Sequence, residues 1–307
     1  MILRSEFKMQ PKVCIVLVNF NSPRLTIECL KSLDGISYKN YEIIVVDNAS
    51  VDDSVERLEK LSSSKVHLIK SKENLGFSGG NRLGVEKALS MGATYVLLLN
   101  NDTEVDSFFL DELIKYSDAN TVTIPKILYF EKKNFLWYGG GKIVPHKGKM
   151  EHLGLGKEDC LDDINAKYCD FATGCCCLIH RDIINEIGLF DELFFMYYED
   201  ADFCIRLKYA GKKILYVPSS KIWHKVSSSS GGEMSPLSVY YMERNRLLLL
   251  RKHWRMFFPL GILYVFFSRV LKYAFFFLKR DRMLKFYLAG TCDFFKCSFG
   301  KSNRKFG

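Results

Sequence analysis

The sequence predicts an α/β protein with a mostly parallel sheet flanked by helices, followed by a helical extension rich in aromatic and basic residues. Three observations lead there. Short apolar runs alternate with helically spaced segments through the first hundred residues. Several of those runs stop abruptly on Asn and Asp. Beyond Arg251 the composition shifts to Phe, Leu, Val and Tyr interspersed with Lys and Arg.

Taken in order, Val13 to Val18 is a β-rich run ending at Asn19-Phe20-Asn21-Ser22. Pro23 then suits the first turn of a helix, whose apolar face is Leu25, Ile27, Cys29, Leu30 and Leu33. Tyr41 to Val46 is a second buried strand, closed by Asp47-Asn48-Ala49-Ser50, and a short helix follows from about Asp53 to Leu61. Val66 to Lys70 is a third strand. Asn74 to Gly80 reads as a glycine-rich loop before a helix from about Asn81 to Met91. Tyr95 to Leu99 is a fourth strand, running into Asn100-Asn101-Asp102-Thr103.

The pattern loosens after Asp118. Gly139-Gly140-Gly141 marks a turn or flexible loop, and residues 142–168 read as irregular. Structure returns with a strand over Ala172 to His180 and helices over Arg181 to Ile187 and Glu199 to Ala210. Ser227 to Ser230 with Gly231 and Gly232 suits a loop that orders over a ligand. No internal repeat is visible.

The 307 residues are 48% hydrophobic, enough for one large domain or two modest ones. A net charge of +9 suits nucleic acid, anionic lipid or a phosphate-bearing substrate. Nucleic acid rests on that charge alone and is not expected. The ten cysteines show no framework spacing, and consecutive Cys175, Cys176 and Cys177 alternate in direction along a strand, so they read as small core residues in a reducing compartment. The N-terminus lacks the apolar stretch of a signal peptide, so a cytoplasmic location is expected. Phe257 to Leu278 is long enough to span a bilayer, but Arg269 and Lys272 fall near its middle. A helix lying in the membrane interface, its cations among headgroups, fits better, with a helix packed on the domain as the alternative.

In a parallel sheet the three polar strand ends, Asn19-Phe20-Asn21, Asp47-Asn48 and Asn100-Asn101-Asp102, share one edge and can line one crevice. Each cluster alone is also an ordinary turn or cap. The glycine-rich stretch through Gly79, Gly80, Asn81 and Arg82 offers bare amides and a guanidinium to a phosphate, or is a structural turn; it matches neither the dinucleotide fingerprint nor the Walker loop. Glu199, Asp200 and Asp202 place three carboxylates within four residues. They serve either the positive end of a helix dipole or a general base near the crevice. His224 ends a β-rich segment beside the Ser/Gly loop and is a candidate metal ligand.

Together these stretches resemble the inverting glycosyltransferases of family 2, with the GT-A (Rossmann-like) fold, especially the rhamnosyltransferase-like branch. The matching segments are Val16 to Ser22, Val45 to Ser50, Glu73 to Asn81, Leu97 to Thr103, Thr173-Gly174, Phe190 to Glu192, Phe195 to Arg206, His224 and Tyr241 to Arg246. The resemblance implies a glycosyltransferase domain over 1–250, with a nucleotide half at about 12–118 and an acceptor half at about 119–250, followed by an extension over 251–307. It implies that Asp102 binds Mg²⁺ or Mn²⁺ bridging the donor diphosphate. Asn100 stands where the family's first acid usually falls, and Asn101 lies between them. Asp47 and Asn48 would contact the nucleoside, with Asn19 and Asn21 beside the base. Gly79, Asn81 and Arg82 would help hold the nucleotide, although the usual Arg-Asn order is reversed. Asp200 matches the catalytic base with Glu199 beside it, and His224 matches a position that completes metal binding.

The expected reaction moves a sugar, with rhamnose from dTDP-rhamnose as the first choice, to a hydroxyl of a lipid-linked or polysaccharide acceptor at the inner face of the cell membrane. A homo-oligomer is compatible with this. The alternatives are a catalytically silent sugar-nucleotide-binding or partner-binding homologue, and a nucleotidyltransferase. The latter usually carries a basic glycine-rich loop after its first strand, where this chain has Asn-Phe-Asn-Ser.

Overall fold

The computed structural model describes residues 10–159, 165–226 and 235–306. The Ser227–Ser230 and Gly231–Gly232 stretch, expected as a ligand-ordering loop, lies outside them, as do residues 1–9, expected to lack a signal peptide. The first half alternates as expected: β1 (Val13–Asn19), α1 (Pro23–Asp34), β2 (Tyr41–Asp47), α2 (Ser54–Glu59), β3 (Val66–Lys70), α3 (Gly76–Ser90) and β4 (Tyr95–Leu99). Then come β5 (Thr103–Val105), α4 (Phe109–Lys115), β6 (Thr121–Tyr129), β7 (Leu136–Tyr138), β8 (Gly141–Val144), a 3-10 turn (Pro145–Lys147), β9 (Lys149–His152), β10 (Lys167–Cys169) and β11 (Cys176–His180). The chain continues through α5 (Arg181–Ile187), α6 (Glu199–Tyr209), β12 (Lys213–His224), α7 (Pro236–Lys252), α8 (Trp254–Phe257), α9 (Leu260–Leu278) and α10 (Leu284–Phe295).

The main sheet runs β10-β12-β6-β11-β4-β1-β2-β3, with β5 on β12 and β7 on β6. Strands β3, β2, β1 and β4 are mutually parallel, and β11 is antiparallel to both β4 and β6. Strand β12 is parallel to β6. Central strands such as β1 are buried on both faces, which is why Val13 to Val18 reads as a continuous apolar run rather than an alternation. The chain order reverses between β1 and β4. That switch point is where an open α/β sheet leaves a crevice beyond its strand ends.

Two segments differ from expectation. The stretch after Asp118 is not loose: β6 crosses the sheet as a buried nine-residue strand despite Pro125 and Lys126. Burial of Lys126 is compensated by Asp159, 2.6 Å away. Residues 142–168 hold the β8–β9 hairpin and β10. The glycine-rich stretch is also not a loop, since α3 begins at Gly76. Its glycines let the helix lie tight on the sheet. A Cβ on Gly80 would come 2.9 Å from Val18 Cγ1, and one on Gly84 would overlap Val16.

The C-terminal helices form a second apolar cluster, in which Phe195 joins Val239, Tyr240, Tyr241, Phe286 and Tyr287. Helix α9 rests on the domain through one stripe, Gly261, Val265 and Arg269, and its other large apolar residues are exposed or half-buried. Arg269 is not among headgroups as expected. It is buried and ion-paired with Glu243, and Lys272 lies over the Tyr287 ring at 3.9 Å.

Candidate active site

The strand ends do converge. At the tip of β1, Asn19 Nδ2 donates to Asp47 Oδ2 at the tip of β2 (2.9 Å), and Thr26 Oγ1 donates to Asn19 Oδ1 (2.8 Å). Asn101 Nδ2, beyond β4, donates to the same Thr26 oxygen (2.8 Å). Asp47 Oδ1 also accepts the Ser50 amide (3.0 Å), and Asn21 accepts the Val51 amide. Asn19 and Asp47 are fully buried, so they organise the crevice floor rather than line it. Asn48 Oδ1 accepts the Leu75 amide while its Nδ2 reaches Asn74 Oδ1 and the Gly76 carbonyl, fixing the approach to α3.

Over this floor lies a cavity of about 520 Å³. Asn48, Asn74, Gly76, Asn81, Asn100 and Asn101 line one side, and Phe195, Met196, Tyr241 and the 301–306 segment line the other. Not every expected residue joins it. Gly79 sits in the helix with Leu75 against it, and Arg82 pairs with Glu192 and Glu86. The amides of the glycine stretch are not bare either: Gly76 N donates to Asn74 Oδ1 and Ser78 N to the Phe195 carbonyl. Asn81 Nδ2 donates to the Phe77 carbonyl one turn back.

Asp102 and His224 meet beside the cavity. Pairing of β5 with the end of β12 sets Thr103 opposite His224, and the Asp102 carbonyl accepts the Lys225 amide. His224 Nε2 lies 3.1 Å from Asp102 Oδ1, and both residues are buried. Among the described residues, neither Asp102 Oδ1 nor His224 Nδ1 has a hydrogen-bond partner. One oxygen and one imidazole nitrogen this close fit two ligands of an octahedral cation, which bonds each at about 2.1 Å with roughly a right angle between them. Among the described residues no cluster of three or more His, Cys, Asp or Glu assembles, so the remaining positions would fall to donor oxygens and water.

The three carboxylates at the start of α6 have separate environments. Asp202 is buried, and although burial alone would raise it, His253, Arg206 and Lys252 pull its carboxyl down to about 2. It is a structural anion. Asp200 accepts amides from Gly174 (3.1 Å) and Ala201 (2.8 Å), yet burial pushes it up to about 6. Burial and the neighbouring Asp200 charge hold Glu199 well above the carboxylate range, and its Oε2 has no partner among the described residues. Of the three, Asp200 is the one poised to exchange a proton near neutral pH.

A turn ahead of β11 joins the two halves. Gly174 N donates to Asp200, and the next residue, Cys175, accepts the Asn100 amide through its carbonyl (2.8 Å). The loop bearing Asp102 and the start of α6 are therefore both held by the Gly174–Cys175 turn. Cys175 to Cys177 are buried free thiols whose acidity burial suppresses, as core residues.

Sequence reasoning missed the support behind Asp200. Phe195, Tyr197 and Tyr198 all have positive φ, at 63°, 68° and 73°, an arrangement non-glycine residues rarely adopt. Asn245 of α7 holds it, reaching the carbonyls of Phe194 (2.6 Å), Met196 (2.8 Å) and Tyr197 (3.0 Å). The fully buried Arg244 beside it reaches the Phe194 and Gly300 carbonyls. In the sequence, Tyr241 to Arg246 is a family-matching segment that assigns no role to Arg244 or Asn245.

The cavity lies over the sheet's switch point on a GT-A-like fold. Asp102, His224 and Asp200 do not line it: Asp102, with His224 beside it, follows its Asn100–Asn101 rim, and Asp200 is tied to the Gly174–Cys175 turn. Residues 14–188 match the Glycosyl transferase family 2 domain, and the chain belongs to that family of enzymes. It is 31% identical over 248 residues to the low-salt glycan biosynthesis hexosyltransferase Agl10 of Haloferax volcanii, covering 78% of this chain and 76% of the relative. It is 23% identical over 253 residues to the dTDP-rhamnosyl transferase RfbF of Shigella flexneri, covering 80% and 82%. Among solved structures, GalNAc-T7 with UDP, GalNAc and Mn²⁺ superposes with a TM-score of 0.63 at 17% identity, over 80% of this chain and 48% of that one. Staphylococcus aureus TarS 1-349 with UDP-GlcNAc gives 0.51 at 15% identity, over 78% and 66%. These two likenesses concern the fold, and the chain spans about half the length of the GalNAc-T7 structure.

Proposed function

We propose that the enzyme is a divalent-cation-dependent inverting transferase that moves a hexose or deoxyhexose from a nucleoside diphosphate to an acceptor hydroxyl. Rhamnose from dTDP-rhamnose is the first donor to test, in keeping with the Shigella relative's name. The observation that carries this reading is the shared Gly174–Cys175 turn, which puts a carboxyl raised to about 6 next to the loop bearing Asp102. Asn48, Asn74 and Asn81 would orient the nucleoside within the cavity, while Asn100 and Asn101 border the diphosphate. Asp102 and His224 would hold Mg²⁺ or Mn²⁺, which supplies Lewis-acid neutralisation of the leaving diphosphate. Asp200 takes the acceptor's proton as its oxygen attacks the anomeric carbon and the bond to the diphosphate breaks. One base and one displacement invert the anomeric centre.

The acceptor side of the proposal rests on α9. It is the one described helix long and apolar enough to cross a membrane. Its outward face carries Leu260, Phe266, Phe267, Leu271 and Phe277 in the open, while Arg269 turns inward. Lys279, Arg280, Arg282 and Lys285 follow it. An apolar face with flanking cations suits the interface of an anionic bilayer, where a lipid-linked or polysaccharide acceptor would be presented. Incubating the protein with dTDP-rhamnose, Mn²⁺ and a lipid-diphosphate sugar tests the reading. Release of dTDP with glycosylated lipid supports it; protection of every donor offered, with no diphosphate released, contradicts it.

A further inference from the structure

The cavity has a wall drawn from the far end of the sequence. Among the described residues lining it, the charged ones are Lys301 and Arg304, both cationic. The segment bearing them is tethered at several points. Arg244 donates to the Gly300 carbonyl (2.8 Å), Gly300 N to the Leu193 carbonyl (2.8 Å), and Ser302 N to the Tyr241 hydroxyl (2.9 Å). Arg304 holds both oxygens of Asp293 (2.6 and 2.7 Å), so its charge is already answered. Lys301 is different: its side chain is half-exposed, and its ion-pair partner is a still more open Glu73 at 3.8 Å. A nucleotide-sugar donor brings about two negative charges and the nucleoside diphosphate it leaves behind about three, one more than a divalent cation neutralises, and the other polar side chains lining the cavity are neutral.

We propose that Lys301 is a donor-binding residue whose ammonium meets the diphosphate, and that the 298–306 segment is a built wall of the donor site rather than a loose tail. The inference rests on the donor-binding reading above and adds to it a cation supplied some 200 residues beyond the strand ends. The anchoring by Arg244, which also holds the loop ahead of Asp200, ties this wall to the catalytic side of the site.

Calorimetric titration of the full chain in Mn²⁺ with dTDP, UDP and GDP, and with the matching nucleosides, tests it. Losing one charge-assisted contact predicts that Lys301→Met weakens the best-bound diphosphate about tenfold to a hundredfold. Binding of the nucleoside should be unchanged, and the dependence of affinity on salt should flatten. Lys301→Arg should stay within a few-fold of the parent, and Lys60→Met, at the exposed end of α2 and away from the cavity lining, should match it. Thermal melts of all three should coincide with the parent, because these side chains are exposed. Parental diphosphate affinity in Lys301→Met, or an equal loss for the nucleoside, overturns the inference while the donor-binding reading stands. A parent chain that binds none of the three diphosphates removes both.

Discussion

Asp200 hangs from the backbone amide of Gly174, 3.1 Å from Oδ2, in surroundings that push its carboxyl up to about 6. A base with that value is protonated, and idle, below it. Turnover should therefore fall about tenfold per pH unit below about 6 and level off above it, as measured by kcat against pH. The same shift has a stability consequence. Burial favours the neutral form, so the stability it contributes is complete below the ordinary carboxylate range and is lost as pH rises through about 6. Asp200→Asn stays neutral at all pH. It should abolish transfer yet unfold at pH 7 no more easily than the parent, with a gain of roughly 1–3 kcal/mol expected from about 1.4 kcal/mol per pH unit.

Asp202, two residues on, should behave in the opposite way. Held at about 2 by His253, Arg206 and Lys252, it contributes stability that is present above the ordinary carboxylate range and lost as pH falls through that range towards 2. Asp202→Asn removes the charged acceptor that Arg206, Lys252 and His253 share and should cost roughly 2–3 kcal/mol in urea unfolding at pH 7, at about 1.4 kcal/mol per pH unit. A loss below 1 kcal/mol would contradict the structural role.

Asn245 is a positioning residue for the strained loop before α6. Asn245→Ala removes the donor to the Met196 and Tyr197 carbonyls and should lower kcat more than tenfold while leaving nucleotide affinity within a few-fold. As the loop relaxes and Asp200 gains water, the acid limb of the pH–rate profile should move below 6. An unmoved limb would mean that the loop does not set the environment of Asp200.

On α9, Phe267 and Leu271 are exposed and touch no core, so Phe267→Asp with Leu271→Asp should leave the melting temperature nearly unchanged. For a helix lying in a bilayer interface, as proposed, each apolar side chain removed forfeits about 1.5–3 kcal/mol of burial. Sedimentation with vesicles containing anionic lipid should therefore drop by at least tenfold. Undiminished sedimentation would favour a face that docks elsewhere.

The first half of the fold was legible because local pattern and burial coincide there. Strands β3 and β4 fall on Val66–Lys70 and Tyr95–Leu99 as expected, and β1 and β2 each extend one residue further, to Asn19 and Asp47. The start of α3 was hidden because glycine signals a loop locally, whereas Gly80 and Gly84 answer to Val18 and Val16 across a packed interface. Strand β6 was hidden by Pro125 and by Lys126, whose burial makes sense only once Asp159 is beside it. For the site, the residue types at the strand ends pointed to the crevice. The sequence did not reveal which of them face it. Asn19 and Asp47 bond to each other beneath the cavity, while Lys301 and Tyr241 arrive from remote segments whose approach no local pattern encodes.

Titrating the best-bound nucleoside diphosphate into the Asp102 and Asp200 variants, with and without Mn²⁺, shows whether the two carboxylates serve one ligand in different roles. Asp102→Asn should lose the Mn²⁺-dependent part of the affinity, whereas Asp200→Asn should keep it while showing no turnover. Mn²⁺-dependent binding that survives intact in Asp102→Asn, or collapses in Asp200→Asn, would contradict that division of roles.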